Sequence, residues 1–109
     1  MKGDVSSLMK IAKKVVEKST YRKLSEMPKN AELETTLKHA VVSALENKAY
    51  LLEKKISYLK NYGKDVFFAE NKFIQLSGKI KHFKASFSEE DYNKTDIVLK
   101  ELVKEIENV

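Results

Sequence analysis

"DVFFAENKFIQLSGKIKHFKASF", residues 65–87, is the stretch that decides the fold class of this 109-residue chain. Val66, Ala69, Phe73, Leu76, Ile80, Phe83 and Phe87 follow one another at intervals of 3, 4, 3, 4, 3 and 4, which puts them on one face of a helix. Two features oppose a helix. Gly78 lies inside the pattern and costs about 1 kcal/mol there relative to alanine. The stretch is also rich in Phe and Ile, which strands favour. Read as strands, it would be a hairpin turning at "ENK" or at "SG". The spacing predicts a helix, with an α+β fold carrying a hairpin in 65–87 as the alternative.

The segments on either side share the helical period. After Phe87, Ser88 fits an N-cap, and Asp91 stands where a capping-box residue returns the hydrogen bond. Phe87 and Tyr92 are spaced as a hydrophobic staple around that cap. Glu89, Glu90 and Asp91 suit the positive end of a helix dipole. Tyr92, Thr95, Leu99, Leu102, Ile106 and Val109 then line one face. Before the deciding stretch, Asn30 is the expected N-cap of a long helix over 31–62, with Glu32 and Glu34 in its first turn. Leu33, Leu37, Val41, Leu45, Ala49, Leu52, Ile56 and Leu59 form its apolar stripe, a break near "ENKAY" being open. Gly63 occupies the position of a C′ glycine. The first segment, from an N-cap at Asp4 to about Glu26, shows Val5, Leu8, Ala12 and Val15 on one face and stops before Pro28. Four amphipathic helices with short connections predict an all-α, antiparallel four-helix bundle, one domain over 1–109.

Composition narrows the functional classes. With three Gly and one Pro, the chain lacks the closely spaced turn signals of a sandwich or barrel. Cysteine is absent, which excludes disulfides, thiolate nucleophiles and cysteine zinc sites. No stretch resembles a secretory signal or a membrane span, so a cytoplasmic protein is expected. The net charge of +5 comes from a Lys-dominated basic set with Arg22 as its one arginine. Base readout and phosphate gripping favour the arginine fork, so nucleic acid is a less favoured partner. The charge is uneven, at +6 over 1–63, +3 over 64–87 and −4 over 88–109.

Chemical motifs are sparse. His39 and His82 lie in different segments, with no second His or carboxylate at helical spacing, so no metal site is expected. The serines and threonines fall mostly near helix ends, where capping accounts for them. There is no glycine-rich phosphate loop and no nucleophile elbow. An enzyme and a cofactor are therefore not expected. The surface that invites a partner is Lys79, Lys81 and Lys84 interleaved with Ile80, Phe83 and Phe87, together with Tyr92. Such a basic and aromatic rim suits a protein or an anionic membrane surface, although the spacing also separates a core stripe from solvated lysines.

The layout resembles the enterocin A immunity type of bacteriocin immunity proteins. The likeness rests on the basic amphipathic first helix, on "MPKNAELETTLKHAVVSALENK" with its turn and leucine-spaced helix, and on "FIQLSGKI" followed by "ASFSEEDYNKTDIVLKELVKEI". It implies a cytoplasmic antiparallel four-helix bundle that protects a cell from a class IIa-type pore-forming peptide without enzymatic turnover. It also implies action at the inner membrane face, through a sugar-permease receptor complex or the peptide itself, with 73–109 as the specificity region. A helical adaptor or nucleic-acid-associated protein, using the basic 1–63 region, is the alternative.

Overall fold

The computed structural model describes residues 5–109; the expected cap at Asp4 lies outside them. The described residues form five helices: α1 (Val5–Val15), α2 (Lys18–Ser25), α3 (Ala31–Asn61), α4 (Phe67–Ser86) and α5 (Glu89–Glu107). No strand occurs among them. The hairpin alternative for 65–87 is thus overturned. Ala69, Leu76, Ile80 and Phe83 of the 3,4 stripe are buried in α4, and Val66 just before it is buried too. Gly78 does not interrupt the helix, and a Cβ added there would meet nothing within 4 Å. The Phe and Ile content that suggested strands divides between this buried stripe and positions off it. Phe67, Phe68 and Ile74 lie off the stripe and are exposed.

The first segment is two helices, not one, which is why the count is five rather than four. α1 buries Leu8, Ile11, Ala12 and Val15. At the positions that would continue this stripe stand Ser19, Arg22 and Glu26. The next residue in the buried core is Leu24, nine positions after Val15 and so turned by about 180° on a continuous helix. A straight helix would leave Leu24 in water. The chain breaks at Val16–Glu17, Glu17 is extended (ψ 147°), and Leu24 becomes 3% exposed.

α3 runs unbroken for 31 residues, about 46 Å. This accounts for most of the 51 Å long axis of the molecule. Leu33 N–H donates to Asn30 Oδ1 at 3.1 Å, which satisfies one of the free donors of the first turn. At the other end Gly63 is left-handed (φ 78°), where a side chain would be strained. Its N–H donates to the Lys60 carbonyl and Lys64 N–H to the Leu59 carbonyl, both at 3.0 Å, a Schellman closure. Asp65 Oδ1 then accepts from Phe67 N–H at 3.1 Å and opens α4.

α4 makes its most extensive packing with α5, and α3 packs against both α1 and α4. Lys72 pairs with Glu101 at 3.1 Å, and the Thr95 hydroxyl reaches the Lys79 carbonyl at 3.2 Å. Numbers rise on one helix as they fall on the other, so α4 and α5 run in opposite directions. Lys60–Glu70 (3.1 Å) and Lys84–Glu46 (3.2 Å) show the same opposed sense for α3 and α4. These ion pairs are exposed, where such pairs contribute only about 0–1 kcal/mol each. The core stabilises the fold instead, with Leu8, Leu37, Val41, Leu76, Phe83 and Leu102 fully buried.

Two substitutions should move stability in opposite directions in urea unfolding. Gly78→Ala, with open space around the new methyl, should raise it by about 1 kcal/mol. Phe83→Ala should lower it by about 3–5 kcal/mol.

Candidate functional site

The sequence-predicted residues occupy two different environments. Lys81 and Lys84 are exposed on α4, with Lys79 half-buried; Lys84 is the partner of Glu46. Phe87 and Tyr92 point inward. Phe87 is half-buried in a left-handed conformation (φ 53°) at the C-terminus of α4, and its ring meets Phe83 edge-on at 5.1 Å. Tyr92 is 3% exposed and meets the same Phe83 at 6.1 Å. Both rings also carry an ammonium, Lys38 over Phe87 at 5.2 Å and Lys14 over Tyr92 at 5.8 Å. The structure thus gathers Phe87 and Tyr92 around Phe83 and leaves the lysines outside. His39 and His82 are exposed, and the described residues contain no group of three or more potential metal ligands.

The cap at the start of α5 differs in detail from the reciprocal box expected of Ser88 and Asp91. Asp91 N–H donates to Ser88 Oγ at 3.1 Å, as an N-cap requires. Ser88 N–H, however, donates to Ser86 Oγ at 3.2 Å, and the Ser86 hydroxyl donates in turn to the Asp91 carboxylate. Ser86 therefore stands between the two groups that a capping box joins directly. Its hydrogen bond holds the Asp91 carboxyl below its ordinary value, helped by Ser88 and Lys94 against some desolvation. A depressed carboxyl supports the fold above its unfolded value and loses that support as pH falls through its folded one.

Around the connection from α3 to α4, a surface forms from residues off the apolar stripes. Tyr58, Tyr62, Phe67, Phe68 and Ile74 are each more than 60% exposed. Tyr58 and Tyr62, one turn apart, meet as tilted rings at 4.7 Å, and Phe67 meets Phe68 edge-on at 5.4 Å. Tyr58 and Ile74 border an open groove of about 820 Å³ between α3 and α4, with Phe73 also in its lining and Lys54 and Glu70 at its margin. Its exposed lining is mostly apolar, with Glu53, Lys54, Lys55 and Glu70 supplying charges of both signs. Such a surface can bind by excluding water from large, stiff side chains, as aromatic protein interfaces do. A sequence signal existed: Tyr58 and Tyr62 are four apart, and Phe67 and Ile74 seven apart, a second helical period beside the stronger buried one.

Comparison with models of known families, with curated proteins and with solved structures finds no match to this chain.

Two outcomes test the division between core and surface. Tyr62→Ser and Phe68→Ser should each change unfolding free energy by no more than about 0.5 kcal/mol, since neither ring supports the core. Tyr92 behaves differently at high pH. Burial, with a smaller push from Asp96, raises its phenol from 10.0 to about 12. The neutral form belongs to the fold, so its contribution is complete below the unfolded value and is lost as pH climbs toward the folded one. Tyr92→Phe should therefore flatten the fall in stability between pH 10 and about 12, as read by urea unfolding at each pH.

Proposed function

We propose that this is a non-enzymatic binding protein of the bacteriocin immunity kind. In this reading the helices form an antiparallel bundle in which α1 and α2 share one arm of four. It protects the cell against a class IIa-type pore-forming peptide from the cytoplasmic side, by engaging a sugar-permease receptor complex, the peptide, or both. The observation that carries the proposal is the exposed set Tyr58, Tyr62, Phe67, Phe68 and Ile74, gathered where α3 ends and α4 begins. Exposed rings that do not support the core are the kind of side chain that anchors a protein partner. The resemblance in "FIQLSGKI" and in the Ser88-capped last helix points the same way, and Ile74 lies within that matched stretch. No helix among the described residues is long and apolar enough to cross a membrane, so contact with a membrane receptor would be peripheral.

Expression in a strain sensitive to class IIa peptides should reduce killing by at least one peptide of a broad panel. The Tyr58→Ala/Ile74→Glu variant should lose that protection while keeping a native circular-dichroism melt. Unchanged killing across the panel by cells making the folded protein would refute the proposal.

A further inference from the structure

α1 packs against both α3 and α5 at one end of the molecule, and no helix of the described residues fills the continuation of that channel toward the other end. On α3, Leu33, Leu37, Ala40, Ala44, Lys48, Leu51, Lys55 and Tyr58 recur at intervals of three and four, so they share one side of the helix. Burial along this line changes midway. Leu33 and Leu37 are buried and Ala40 and Ala44 half-buried, whereas Leu51, Lys55 and Tyr58 are exposed. α5 shows the same change. Tyr92, beneath Lys14 of α1, is 3% exposed, but Val103, eleven residues on and on the same side, is 39% exposed. The cause is length, since α1 has 11 residues to the 31 of α3. Past α1 the channel is an open slot of about 550 Å³, with Leu51, Leu52, Leu99 and Val103 as its apolar lining and Lys48 and Lys55 on its α3 side.

We propose that this slot binds an amphipathic α-helix of a partner protein, one whose apolar stripe is flanked by acidic side chains. The two helices that wall the slot already pack against a helix, α1, at the filled end. The charges select the flanks. Neither Lys48 nor Lys55 is in an ion pair among the described residues, while Asp96 of α5 is occupied by Lys100 at 2.9 Å. A second copy of this chain docking slot to slot would bring those lysines together, which disfavours self-association through this face. The slot adjoins the α3–α4 groove and shares Leu51 and Lys55 with it, while Lys48, Leu52, Leu99 and Val103 belong to the slot alone; the inference does not rest on the aromatic set that carries the immunity proposal.

The probe is a fluorescein-labelled synthetic helix of roughly four turns, with leucines at 3,4 spacing and glutamates on both flanks, beside a twin carrying lysines on the flanks. In fluorescence anisotropy with the whole protein, the glutamate peptide should bind at least about tenfold more tightly than its twin, and less tightly as salt is raised. The Lys48→Glu/Lys55→Glu variant should invert the preference. Leu51→Asp, an exposed position that leaves the core intact, should weaken the glutamate peptide with an unchanged melt. Equal affinity for the two peptides, binding of neither, an unaltered preference in the charge-reversed variant, or a dimer in sedimentation that Leu51→Asp dissolves would each overturn the proposal.

Discussion

Phe83 is the side chain on which the rest of the structure turns. It is fully buried near the end of α4, and the rings of Phe87 and Tyr92 meet it from the two sides of the connection to α5. Three aromatic rings in edge-on contact fix how α5 leaves α4, and the Ser88 cap fixes where it starts. Only Phe87 and Ser88 lie between the helices, so α5 has little freedom except to fold back along α4. That pairing forms the platform. α3 lies across it, and α1 closes one end of the remaining channel.

Much of this architecture was legible in the sequence because it follows from one periodicity. The 3,4 spacing from Val66 to Phe83 outweighed both Gly78 and the strand-favouring composition, since a buried face contributes more than propensity subtracts. The ends of α3 could be read from Asn30 and Gly63 because a cap and a left-handed turn each demand a particular residue chemistry. The break between α1 and α2 was harder to see. Helix-forming residues continue through it, and only the half-turn mismatch between Val15 and Leu24 reveals it. Asp91 was placed correctly at the start of α5, but Ser86 lies outside the capping-box pattern, so its insertion between Asp91 and Ser88 N–H could not be read from that pattern.

The exposed aromatics were missed for a related reason. On a helix carrying two apolar faces the stronger stripe captures attention, and residues off it are read as incidental. Tyr58 and Tyr62 on one side of the turn, and Phe67 and Ile74 on the other, are each at helical spacing, but whether such residues are covered depends on where neighbouring helices stop. Sequence spacing does not report that. For the slot at Leu51, it depends on α3 being nearly three times as long as α1.

The short join at Phe87–Ser88 also bears on how this chain can change length over evolutionary time. A residue inserted there would pull apart the two contacts that this join holds together, the Phe87 ring on Phe83 and the Ser88 hydroxyl on Asp91 N–H. Drift in size is thereby steered away from this corner and toward the longer 26–30 connection. A lineage of such proteins would keep its last two helices in fixed spacing while its earlier connections wander.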